Sequence, residues 1–162
     1  MVNCNEELIH KHDEVLQISD KNSLIWVSAK LGTQEIPAMI DTGANPNCLS
    51  YRCLQGSPHL KRLERVPYSG KQIVDANGEP IATDFVVKCQ LSLGTLTTLT
   101  EFVVIKSLPF SCIIGQKTLT TFDSWEVSNT HKILTINKFH IVPFHDSENL
   151  SLIHISEPTR PY

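Results

Sequence analysis

The 162-residue sequence has little of what several large classes of protein require. No stretch approaches the ~20 apolar residues that span a bilayer as a helix, and the N-terminus carries no apolar core of a secretory leader. Neither a membrane segment nor a signal peptide is expected. An excess of one charge is also missing: 14 basic against 17 acidic residues leave a net charge of −3, too weak a field to gather nucleic acid or an anionic surface. The five cysteines, Cys4, Cys48, Cys53, Cys89 and Cys112, are odd in number and contain no Cys-x-x-Cys pair. Cys48, Cys53 and His59 come nearest to a metal cluster, at a spacing that fits no common zinc module. Free thiols in a reducing, cytoplasmic compartment are expected, with no metal and no cofactor. The seven His accompany no Ser or Cys nucleophile motif, which argues against a catalytic triad.

Sustained helical periodicity is scarce, whereas period-two alternation recurs. Residues 1–20 are charged with scattered apolar positions and read as a polar lead-in with one short helix. From Ser23 to Leu31, Ile25, Val27, Ala29 and Leu31 oppose Leu24, Trp26, Ser28 and Lys30, which predicts a strand. Gly32-Thr33-Gln34 supplies a turn, and Glu35 to Asp41 alternates again, so a hairpin presents Asp41 at a strand end. Pro37 cannot donate to a ladder, which places its part of the strand at an edge or a bulge. Tyr51 to Gly70 reads as a loop with one helical turn; its basic segment, His59 to Arg65, fits a solvated face better than a nucleic-acid site. Gln72-Ile73-Val74 and Pro80-Ile81-Ala82 flank Asp75-Ala76-Asn77-Gly78-Glu79, and Asn-Gly between apolar arms signals a hairpin with a small polar tip.

Strands are expected from Phe85 to Leu93, Leu96 to Ile105 and Phe110 to Ile114. A helical turn or two from Gln116 to Phe122 follows, then short strands at Trp125 to Val127, Lys132 to Ile136 and Lys138 to Phe144. Many strands with little helix argue an all-β barrel or sandwich. Ser151 to Tyr162 changes character, reads as translated adapter sequence, and is kept out of fold reasoning. The division expected is a lead-in over 1–20, one domain over 21–140, and a tail over 141–162 of which 151–162 is non-native.

The chemistry concentrates at Ile40-Asp41-Thr42-Gly43-Ala44, where an apolar strand delivers a single carboxylate to a turn of small residues. Asp-Thr-Gly alone arises by composition in about three of every hundred chains this long, so its context decides. That context is the order of three segments: Asp41 to Ala44, the Gly-tipped hairpin at Asp75 to Glu79, and Ile113-Ile114-Gly115 with a helix behind it. In this order, and in the wording Ile36-Pro37-Ala38-Met39-Ile40-Asp41-Thr42-Gly43-Ala44, with Asn47, Leu49-Ser50, Leu119, Leu134 and Ile136, residues 21–140 resemble the retropepsin-like aspartic proteases of retroviruses and long-terminal-repeat retrotransposons.

The resemblance implies a closed β-barrel protomer that works as a homodimer, with one short helix after Ile113-Ile114-Gly115. Aspartic proteolysis requires two carboxylates about one water, and this chain supplies one, so two copies of Asp41 across a two-fold axis meet the need. By position, Asp41 is the expected catalytic group, and Thr42 braces the active-site loop with Gly43 and Ala44. Asp75, Ala76, Asn77 and Gly78 form a flap over substrate, Ile113 and Ile114 line the pocket, and Gly115 permits a close crossing beneath the loop. Lys117 departs from the acidic residue many relatives carry, which bears on helix capping rather than chemistry. The implied substrate is an extended polypeptide, the retroelement's own Gag-Pol polyprotein, cut in the cytoplasm or within virus-like particles; no nucleic acid or membrane partner is implied. The alternative is a domesticated, inactive binding or scaffold domain that kept the fold.

Overall fold

The computed structural model describes residues 14–15 and 25–145. Its first element, β1 (Glu14–Val15), is a strand where the lead-in's composition suggested a helix, because its backbone finds a pairing partner far along the chain. Strands β2 (Ile25–Leu31) and β3 (Gln34–Ile40) form the expected antiparallel hairpin, with Ile25 opposite Ile40 and Leu31 opposite Gln34. After β3 come β4 (Cys48–Ser50), two short helices α1 (Tyr51–Gln55) and α2 (Pro58–Lys61), and β5 (Val66–Pro67). Two helices thus replace the single turn expected before Gly70. Each starts at a serine whose hydroxyl accepts a backbone N–H, Ser50 from Cys53 at 3.0 Å and Ser57 from Leu60 at 3.4 Å, the preferred N-cap chemistry.

Strand β6 (Ile73–Val74) opens the small hairpin. The long pair β7 (Phe85–Leu93) and β8 (Leu96–Ile105) follows, then β9 (Cys112–Ile114), α3 (Gln116–Leu119), β10 (Trp125–Ser128), β11 (Ile133–Ile136) and β12 (His140–Pro143). Six strands close a barrel in the order β2-β3-β9-β4-β8-β7, and β2 meets β7 through Lys30 opposite Ser92 and Leu31 opposite Leu91. Closure leaves few unpaired edges. β5 extends the sheet beside β7, and β10-β11-β12 form a separate antiparallel sheet. That sheet joins the barrel through a bridge from Val27 to Phe144, and the N–H of His145 donates to the C=O of Trp26 at 2.8 Å. Pro37 lies on the stretch of β3 that pairs with β2 alone, since β9 reaches only Met39 and Ile40. There the missing N–H costs no ladder bond.

Alternation sorts the apolar side chains into two layers. Val27, Ala29, Leu31, Ile36, Ala38, Ile40, Val87, Leu91, Phe102 and Val104 fill the barrel with Leu134, Ile136 and Val142 of the second sheet. The opposite faces of the same strands supply Met39, Val103, Ile105 and Ile113, which pack with Ala44, Cys48 and Ile73 in a second layer. Cys48, Cys53, Cys89 and Cys112 are free thiols. Burial pushes the Cys53 thiol up to about 12 and the Cys89 thiol to about 11. Burial also holds Cys112 well above the ordinary range, helped by the neighbouring thiols of Cys53, Cys89 and Cys48.

Candidate active site

Strand β3 is held between β2 on one side and β9 on the other, where Met39 lies opposite Ile113 and Ile40 opposite Ile114. Asp41 extends that parallel pairing by one residue: its N–H donates to the C=O of Ile114 at 3.0 Å. The chain then turns sharply, the N–H of Ala44 donating to the C=O of Asp41 at 3.2 Å, while the Asp41 carboxylate accepts the N–H of Gly43 through Oδ1 at 2.9 Å. Asp41 has no solvent exposure, whereas Thr42 is exposed and Gly43 half-buried. A carboxylate out of water is tolerated only where hydrogen-bond donors meet it, and the small residues of the turn bring one there.

The turn is locked from below by the segment after β9. A Cβ built on Gly115 would stand 2.4 Å from the carbonyl oxygen of Pro46, 2.8 Å from that of Ala44 and 3.0 Å from that of Asn45. No side chain fits that crossing. Asn47, nearly fully buried, accepts the N–H of Gly115 through Oδ1 at 3.0 Å. The first amides of α3 serve as further ties: Gln116 N–H donates to Ala44 C=O at 2.8 Å and Lys117 N–H to Asn45 C=O at 3.0 Å. Gln116 Nε2 also reaches the C=O of Thr42 at 2.9 Å. The helix start, Gly115, has no side-chain cap; loop carbonyls fill that role, so Lys117 in place of an acid leaves the helix end satisfied.

The hairpin from Ile73 to Ile81 stands with its first arm in the second apolar layer, since Ile73 packs with Met39, Ala44 and Ile113, and Ile81 borders them. Its tip is tied by Asp75. Oδ1 accepts the N–H groups of Asn77 at 2.8 Å and Glu79 at 3.0 Å, and the Asp75 C=O accepts the N–H of Gly78 at 3.0 Å. Gly78 takes φ of +81°, a backbone conformation that favours glycine. Asn77 is exposed, and Ala76 is half-buried.

Of the residues singled out from the sequence, Ala44 and Ile113 belong to this second layer, Asp41 to Gly43 lead into Ala44, and the Asp75 to Gly78 tip follows Ile73, which shares the layer. The pair Ile113-Ile114 divides: Ile113 joins the layer with Ala44 and Ile73, whereas Ile114 points into the barrel core with Ala38 and Leu49. Sequence reasoning missed three things here. Asn47 figured only as part of the family wording, and its bond to Gly115 spans 68 positions that no local pattern links. Strand β4 is three residues long, below any periodicity threshold. Trp26, set edge-on to Phe110 with ring centroids 5.2 Å apart, borders the same layer, whereas from the sequence it had no role beyond burial on the face of β2 opposite Val27.

No protein-family model matches the chain, and comparison with curated proteins finds no match. Solved structures do match. The retroviral protease-like domain of Ddi1 from Leishmania major superposes with a TM-score of 0.61 at 20% identity, over 81% of this chain and 98% of that one. A retropepsin-like aspartic protease from Rickettsia conorii superposes with a TM-score of 0.50 at 18% identity, over 78% of this chain and 88% of that one. The closed six-stranded barrel with few short helices therefore has a retropepsin-like fold.

Proposed function

We propose that the protein is an aspartic endopeptidase that cleaves extended polypeptide through a water held between two Asp41 carboxylates, one from each subunit of a homodimer. The observation that carries this reading is the Asp41 turn: a wholly buried carboxylate at a strand end, braced by Gly43 and locked beneath by the Gly115 crossing. Two carboxylates about one water cannot both ionise at roughly 3 Å. One serves as general base toward the water and the other as acid toward the scissile carbonyl, and the pair titrates as a unit. Thr42, exposed in the single chain, is the loop residue available to brace the partner's loop. The Asp75 to Gly78 tip closes over substrate and pairs with its main chain, and Ile113 with Ala44 forms the apolar floor.

The wording around Asp41 favours a long-terminal-repeat retroelement, and its own Gag-Pol polyprotein is the substrate proposed. Its place of work is the cytoplasm or a virus-like particle. Reverse transcriptase and integrase sequences downstream in the gene would support that origin. The deciding experiment is Asp41→Asn, which changes charge and proton inventory with almost no change in volume. Loss of cleavage of a retroelement polyprotein with an unchanged far-UV spectrum is expected, as is inhibition of the parent by a pepstatin-type statine. Cleavage at the parent rate by Asp41→Asn would refute the assignment, and a folded parent that cleaves nothing would assign the domesticated binding domain instead.

A further inference from the structure

Strand β6 has one side engaged by its own hairpin and one side open to a second strand. The N–H of Ile81 donates to the C=O of Ile73 at 2.8 Å, and the N–H of Asp75 to the C=O of Glu79 at 2.9 Å. Ile73 and Asp75 thus turn main-chain groups toward the second arm. Val74 lies opposite Pro80, which has no N–H to offer. By the alternation of an extended strand, the N–H and C=O of Val74 point to the other side. On that side lies β1, parallel to β6, with Glu14 opposite Ile73 and Val15 opposite Val74. Ile73 packs in the layer of Met39, Ala44 and Ile113, so β6 lies beside the apolar floor proposed for the peptide.

We infer that the open side of β6 is a strand-accepting site whose resident occupant is the chain's own strand Glu14–Val15. This rests on reading the groove as peptide-binding, and it adds a self-blocked state in which that strand must leave before an outside peptide pairs with Val74. Pairing through main chain alone asks little of side chains, which suits a polar, charged segment. Nine residues, 16–24, join Val15 to Ile25, and a tether this short gives an effective concentration on the order of 1 mM. An occupant with a dissociation constant of about 0.1 mM in trans then weakens an outside peptide about tenfold.

The test uses the full chain carrying Asp41→Asn, so that no probe is consumed, with and without Glu14→Pro and Val15→Pro together. Glu14→Pro removes the β1 N–H that faces β6, whereas the N–H of Val15, opposite Val74, points away, and its proline serves to disfavour re-pairing in a shifted register. A fluorescein-labelled peptide of residues His10 to Ser19 is titrated into each by anisotropy, and amide exchange at Val74 is followed. The double-proline chain is expected to bind the peptide about tenfold more tightly, and its Val74 amide to exchange faster until peptide is added. Equal affinities in the two chains overturn the inference, and so does Val74 exchange indifferent to the prolines. Neither readout needs catalysis. If both readouts come out as expected and the parent chain with Asp41 intact cuts nothing, only the peptidase reading sinks; if chains with Asp41 intact cut peptides equally well with and without the prolines, only this inference sinks.

Discussion

At Gly115 the backbone is ordinary, with φ of −104°, so the demand for glycine comes wholly from the three carbonyl oxygens above it. They belong to Ala44, Asn45 and Pro46, and cannot retreat without moving the Asp41 turn. Gly115→Ala is therefore expected to cost about 1–3 kcal/mol, measured as a lower midpoint in urea, and to reduce peptide cleavage by more than the lost folded fraction accounts for. Asn47→Leu removes the side-chain acceptor of the buried Gly115 N–H, a loss of about 1–3 kcal/mol; stability within error of the parent would show that the bond is dispensable. The thiols make a pH prediction. Cys53 and Cys89 keep their protons up to about 12 and about 11 when folded, against an ordinary 9.0. The unfolded chain releases them first, so their contribution is intact below pH 9 and declines as pH rises through that window. Urea unfolding at about pH 8 and about pH 11 should differ in that direction, and Cys53→Ser should make the decline shallower.

Among elements, the hairpin at Ile73 to Ile81 has its tip tied by one carboxylate. Asp75 Oδ1 accepts two amides, from Asn77 and Glu79. Asp75→Ala should free both, speed amide exchange at Asn77 and Glu79, and raise KM for peptide with little change in global stability, because the tip buries little. Asp75→Asn retains an acceptor oxygen and should restore most of the exchange protection; if Ala and Asn behave alike, the side chain does not order the tip. Strand β7 was legible from alternation, since Phe85, Val87, Cys89, Leu91 and Leu93 mark one face without interruption, and β8 from the turn at Gly94-Thr95 and its apolar run Phe102 to Ile105. β4 and β5 were not: strands of three and two residues carry no period, and they exist because β8, β9 and β7 offer them edges. β1 was missed for the same reason.

For the whole molecule the question is how many carboxylates one active unit needs. If the site is shared, mixing equal amounts of parent and Asp41→Asn chains leaves a quarter of the dimers with both carboxylates, and activity per parent chain falls to about half. Activity per parent chain unchanged by the mixing would mean that one chain suffices. Dilution should act in the same sense, lowering specific activity as the dimer dissociates. By itself the sequence determined the barrel's longest strands, the small residues around Asp41 and the Asn-Gly hairpin, because each depends on alternation or turn chemistry within about ten residues. Only tertiary structure decided what joins them. The Gly115 crossing under Asp41, the Asn47 bond, the division of Ile113 from Ile114 and the pairing of β1 with β6 all bring together residues far apart in sequence, where contact is set by barrel closure and not by any local pattern.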